Sequence, residues 1–478
     1  MTTQRLQFTD WLPDQPANAG SLNDAKNVFP LGIGYGAFPS AEEFSDSASE
    51  NLNSVFVAKF GATVEVFGGS ASKIFKLNIG TLAMTDVSKV GGYAGNGVWR
   101  FEQFGNVVLA CNDNTRIQAW TIGSSTVWAD VAAAAPIAKD IAIVRDFVFA
   151  GNIGIGTNPD KVQWSDINDE TDWTSGSTSQ SDYQIIADGG NVQAITGGEF
   201  GVILLEKSVV RASYVGSPLF FQFDTISNGL GCLEGHSVAQ YGNITFFLSD
   251  DGWYSTDGQT ITNIGLEKVD RWFFGRVDLT KLNTMSAAVD PVKNLVIWNY
   301  ADVDGNRRLI IYNWQLKKWS RAETTSDSVG TIATLGETLE SLESSLGYTD
   351  IDTMGASLDS RLFIGGKFLF SGTKEDKIVT FTGTSIIPQL ITTDVEVGYN
   401  SVATLARPQI DNGTAQVAVA SRRELDDNIE FGAFVPATKE GRCSLRSAGR
   451  YHRFNVQPTG NWTTAMAVDV DLKSQGNR

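Results

Sequence analysis

The sequence predicts an all-β protein: a β-propeller of six or seven blades with an additional C-terminal antiparallel β domain. Three observations predict it. Gly is abundant, at 48 of 478 residues, and Trp, Tyr and Phe number 12, 11 and 27. That mixture suits many short strands joined by tight turns. Alternating apolar runs recur in pairs about a turn, as in SVFVAKF-GA-TVEVFGG and WRFEQF-GN-VVLACND. The turns fall at Gly61, Gly105, Asp146, Gly201, Gly242, Lys293 and Gly366, mostly 41–55 residues apart. Four-stranded propeller blades repeat at about 40–50 residues, and radial packing lets such sheets bury both faces.

Taken in order, residues 1–48 are rich in Pro, Gly and Asn and read as an extended N-terminal arm with strands. Residues 49–325 hold the propeller blades. Third and fourth strands follow the hairpins, as in TRIQAWTI with TVWADV and LIIYNW with KKWSRAE; EKVDRWFF reads as another. Trp164, Trp173, Trp314 and Trp319 flank turns and read as wedges between sheets. Residues 326–358 read as an insertion, either a loop or a short helix carrying Leu335, Leu339, Leu342 and Leu346. Residues 359–385 hold the last propeller unit. Residues 386–478 carry longer alternating runs (TTDVEVGYN, AQVAVASRREL, RYHRFNVQP, AMAVDVDL) and read as a separate β domain, an assembly platform.

The net charge of −17 disfavours adhesion to phosphate backbones and excludes a polybasic membrane anchor. The charge is uneven. Residues 401–478 carry ten basic and eight acidic residues, against −19 for the first 400. No apolar run approaches a membrane span, and MTTQRLQFTDWLPDQP lacks a signal core, which leads us to expect synthesis in the cytoplasm. Cys111, Cys232 and Cys443 are odd in number and dispersed, which argues against a disulfide framework.

Little in the chain points to catalysis. Asp302, Asp304 and Gly305 in ADVDGNRR match half a calcium loop, but strands flank them, so a hairpin turn is expected. SDDGWYSTDG reads as two turns. His236 and His452 have no nucleophile beside them in sequence and read as structural. No nucleophile elbow or phosphate-binding loop occurs. We therefore expect no catalytic, cofactor or metal residues. In RCSLRSAGRYHRF, strand alternation places Arg446, Arg450 and His452 on one face. That face could meet an acidic partner surface or nucleic acid, or pair with local acids such as Asp426, Asp427 and Glu430.

The opening DWLPDQPANAGSLNDAKNVFPLGIGYGAFPS carries a W-x-P-D pattern, then A-K-N-V-x-P, then G-Y-G-x-F-P. It falls on Trp11, Pro13, Asp14, Ala25, Lys26, Asn27, Val28, Pro30, Gly34, Tyr35, Gly36, Phe38 and Pro39. Together with ISNGLGCLEGHSVAQYGNITFFLSDDGWYSTDG, LDSRLFIGG and SAGRYHRFNVQPTGNW, this resembles the tail nozzle family of short-tailed bacteriophages. That family is also called tail tubular protein B or packaged-DNA stabilisation protein.

The resemblance implies a structural virion tail component with a propeller protomer, six copies in a ring, and attachment below the dodecameric head-to-tail adaptor. It implies a conduit and gate that retains the genome and releases double-stranded DNA on ejection, with tail fibres or spikes nearby. Trp11, Pro13, Lys26, Asn27, Tyr35, Phe38, Arg446, Arg450, Tyr451 and Arg453 become the assembly candidates. Six copies would carry six times −17, or −102 charges, and an acidic lumen lets DNA slide without adhering. The alternative from a different class is a propeller hydrolase or carbohydrate-binding protein acting on the host envelope.

Overall fold

A computed structural model describes residues 2–16, 19–94, 97–333 and 368–475. Among these the regular secondary structure is strand, apart from one short helix, Asp270–Phe274, and two 3-10 turns. Six four-stranded sheets stand as separate propeller blades. A seventh four-stranded meander, residues 286–323, is continuous with the C-terminal sheet. We number the blades in chain order: 1 (52–86), 2 (100–130), 3 (138–185), 4 (192–228), 5 (239–263), 6 (286–323) and 7, which begins at 328.

The predicted hairpins form where the turn residues allow. Gly61, Gly105 and Gly242 have positive φ, and Arg145 and Asn294 take the same conformation at the turns of blades 3 and 6. Wedge residues are core, as their size predicts: Trp164, Trp173 and Trp319 are buried. Between blades 1 and 2, Phe67 meets Trp120 and Trp128 edge-on, both at 5.3 Å. Glu65 spans the same joint, accepting from Trp120 Nε1 and Lys76 Nζ at 2.6 Å each.

Blade 7 differs from expectation. Its innermost strand is Ser328–Ala333, at the start of the segment read as an insertion. The run SVGTIA lacks a clear hydrophobic alternation, and its Gly stands where the strand comes close to blade 1. A Cβ on Gly330 would lie 2.5 Å from Val55 Cγ1 of blade 1. The remaining strands are Phe368–Lys374 and Lys377–Ser385, turning at Glu375 and Asp376. The predicted turn at Gly366 and the leucine repeat Leu335–Leu346 lie outside the described residues. The fourth strand of blade 7 comes from the arm: Pro39–Glu43 pairs with Lys377–Ser385, and Lys377 Nζ lies 2.5 Å from Glu43. The ring is thus closed by a segment more than 300 residues away in sequence.

The C-terminal sheet is built on two 17-residue strands, Val395–Asp411 and Cys443–Thr459, with Thr414–Arg422 and Thr464–Ser474 beside them. The alternation read in the sequence faces the core: Val417, Val468, Val470 and Leu472 are fully buried. The arm runs through this sheet. Thr2–Gln7 pairs with Thr464–Ser474. Asp24–Lys26 pairs with Gln389–Ile391 on one side and with the outer strand of blade 6 on the other. Gly34 passes so close to the last strand that a Cβ would lie 1.9 Å from the Ala465 carbonyl oxygen.

EKVDRWFF is a second difference: it contains the helix Asp270–Phe274. Asp14 of the arm explains why. Its carboxylate accepts from the N–H groups of Arg271 and Trp272 at 2.9 and 2.8 Å, satisfying donors that a first helical turn leaves free. Asp270 itself is buried, and burial, aided by the Asp14 charge, pushes its carboxyl up to about 6. The folded chain therefore holds this proton more tightly than the unfolded chain. Stability from it is full below about pH 4 and is lost as pH rises to about 6. Asp270→Asn is expected to flatten that part of a urea-denaturation pH profile; an unchanged slope would contradict the assignment.

Candidate functional site

The arm residues singled out by the sequence converge on the joint between blade 6 and the C-terminal sheet. Trp11 is fully buried and meets Trp272 edge-on at 4.9 Å, while its Nε1 donates to the Asn23 carbonyl at 3.3 Å. Pro13 starts the turn that presents Asp14 to the helix. Lys26 pairs with Glu323 at 2.8 Å. Neighbouring Asp24 takes both forks of Arg321, at 2.8 and 2.6 Å.

Asn27 holds the joint from three sides. Its φ is 60°, its amide donates to the Ile387 carbonyl at 2.8 Å, and its side-chain oxygen accepts from the Glu323 N–H at 2.8 Å. Asn tolerates this left-handed backbone better than other non-glycine residues. Tyr35 is fully buried and donates to the Thr9 carbonyl at 2.9 Å; burial keeps its phenol well above its ordinary value. Phe38 sits farther along, edge-on to Phe381 at 5.8 Å in blade 7.

The C-terminal candidates do not share one surface. Arg446 is exposed, beside a cavity of about 540 Å³ lined also by Ser421, Asn428 and Glu430. Arg450 is half-buried, pairs with Glu396 at 2.6 Å, and lies over the Tyr451 ring at 5.1 Å. Arg453 is buried against Asp394, donating at 3.1 and 2.8 Å, and Arg422 pairs with the same carboxylate. His452 is enclosed, its ring nitrogens 2.8 Å from Ser401 Oγ and 2.7 Å from Ser421 Oγ. In place of a pairing with Asp426, Asp427 and Glu430, Arg450 takes Glu396, on the neighbouring strand, and Arg453 takes Asp394, just before that strand begins. Asp427 instead accepts from the backbone N–H groups of Arg423 and Glu424.

A second constellation escaped the sequence reading. The innermost strands of all seven blades enclose a cavity of about 580 Å³ on the propeller axis. Arg100 and Glu102, two apart on the first strand of blade 2, line it with Asp140 of blade 3 and His236, which precedes blade 5. Arg100 reaches past blades 3 and 4 and donates to the Gly235 carbonyl at 2.6 Å, with its Nε 3.7 Å from Asp140. Asp140 also accepts from the Ile195 N–H of blade 4 at 2.7 Å. His236 Nδ1 lies 2.7 Å from Glu234. Burial, then the Asp140 charge, pushes Glu102 up to about 8, so its carboxyl is neutral at pH 7. Burial, then Arg100, holds His236 below its ordinary value.

Asp302 behaves as a turn residue. It accepts from the N–H groups of Asp304 and Asn306 and pairs with Arg308 at 2.9 Å. Among the described residues no cluster of three or more His, Cys, Asp or Glu is arranged to hold a metal ion. The three cysteines are buried and unbridged.

No protein-family model matches this chain, and no curated protein does. Solved structures that it is similar to include the computationally designed Ika8 protein, at 12% identity and TM-score 0.38, covering 72% of this chain and 99% of that one. A chain of the Mitotic Checkpoint Complex matches at 10% identity and TM-score 0.38, covering 72% and 98%. A candidate 6-phosphogluconolactonase from Bacteroides fragilis matches at 15% identity and TM-score 0.37, covering 56% and 82%. These likenesses are distant, and no activity follows from them.

Proposed function

We propose that the chain is a structural subunit of a short-tailed bacteriophage tail, a nozzle protomer that assembles as a hexameric ring below the head-to-tail adaptor. One observation carries this reading. The tail-protein pattern of the arm is spent on architecture: Trp11, Asp14, Lys26, Asn27 and Tyr35 fasten the propeller to the C-terminal sheet. A part that holds a pressurised genome needs a rigid joint there.

The axial cavity constrains the route of DNA. At about 580 Å³, with Arg100 reaching to Gly235, it has the size of a small-ligand site. A duplex whose major groove alone is ~12 Å wide does not fit it. In this reading DNA passes along the lumen of a ring whose every chain carries a net charge of −17. Closed rings of this kind arise from head-to-tail contacts. The chain itself is then no enzyme, and its partners are copies of itself, the adaptor and, near that junction, fibres or spikes.

The test is genome retention. Phage particles assembled without this chain are expected to package DNA and then lose it to added nuclease. Particles that retain their DNA without it would contradict the reading.

A further inference from the structure

The axial cavity has a chemistry that the nozzle reading does not use. Two carboxyl groups, Glu102 and Asp140, line it from adjacent blades, together with one guanidinium, that of Arg100. That guanidinium is already committed to the Gly235 carbonyl at 2.6 Å and stands 3.7 Å from Asp140. The Glu102 carboxyl, half-buried on the cavity wall, makes no hydrogen bond or ion pair among the described residues.

The other charged groups nearby are engaged elsewhere. Lys139 donates to Gln193 at 3.0 Å, and Glu234 is held by His236 at 2.7 Å. Asp113 lies beyond, within the field of Lys139 and His236. The cavity therefore has acceptor capacity in excess of its cations. Its wall also includes Phe56, stacked on Phe101 at 5.5 Å, an aromatic surface of the kind cations favour.

We propose that this cavity binds a small organic cation, whose primary ammonium or guanidinium group is held by Glu102 and Asp140. An anion would face the Asp140 carboxylate and find Arg100 already committed, and a metal ion would lack a third ligand of its usual kind among the described residues. A cation supplies the charge that Glu102 lacks, so binding ionises that carboxyl. At pH 7 each ligand bound is then accompanied by release of a proton from Glu102, and affinity rises between about pH 6 and 8.

The experiment is titration calorimetry of the full chain with putrescine and agmatine at physiological salt, beside glucose and citrate. One site per chain is expected for the amines. The binding enthalpy should vary with the ionisation enthalpy of the buffer, reporting the released proton. Glu102→Gln, which makes no bond that folding needs, should keep the melting temperature and weaken amine binding about tenfold or more; Glu102→Ala serves as the second variant. Absence of amine binding, binding that both variants leave unchanged, or binding of only glucose or citrate would each overturn the proposal. Loss of DNA retention without this chain would test the nozzle reading separately, since the cavity site does not depend on it.

Discussion

Replacing Asp394 with Ala is expected to destabilise the chain by about 3–5 kcal/mol, the range for breaking a buried ion pair from one side. The Asp394 side chain is 2% exposed, and both Arg422 and Arg453 side chains are 9% exposed. Arg453 gives it two hydrogen bonds and Arg422 a third. Removing the carboxylate leaves two guanidinium groups facing each other in the interior of the C-terminal sheet. Arg422→Met is expected to cost much less, because Arg453 and Asp394 still satisfy one another. Urea denaturation of the two variants checks this; a loss under about 1 kcal/mol for Asp394→Ala would mean that water reaches the pair.

Trp11→Ala is expected to cost a further comparable amount, about 3–5 kcal/mol, the range for truncating a buried aromatic. The indole is fully buried, packs edge-on against Trp272, and anchors the arm through Asn23. Its loss should loosen Asp14 from the helix and with it the bridge between blade 6 and the C-terminal sheet. Scanning calorimetry is therefore expected to show one transition in the natural chain and two in the variant. A single transition merely shifted to lower temperature would show that the joint does not depend on the arm.

Most of the fold was legible because blade hairpins join neighbours in sequence. SVFVAKFGATVEVFGG and WRFEQFGNVVLACND each contain both strands and their turn. Closure was not legible, since Pro39–Glu43 has no local partner and Ser328–Ala333 is built of small residues. EKVDRWFF misled because its helix depends on a capping carboxylate more than 250 residues upstream.

The arm residues stood out as a pattern, but their role as a clamp needed Arg321 and Glu323 beside them. Arg100 and Glu102 alternate with Trp99 and Phe101 as on any half-exposed strand. Only the closing of the ring turns that polar face toward an enclosed axis, where burial can change its protonation. The unevenness of charge also acquired a structural meaning: much of the basic C-terminal set is spent within its own sheet, on Asp394 and Glu396.

The central claim is that this chain is built to assemble into a ring. Native mass spectrometry with negative-stain imaging, on the purified chain alone and with the dodecameric adaptor, tests it most directly. The account predicts a six-fold ring with an axial opening, formed alone or on addition of the adaptor. A chain that stays monomeric and ignores the adaptor would contradict it.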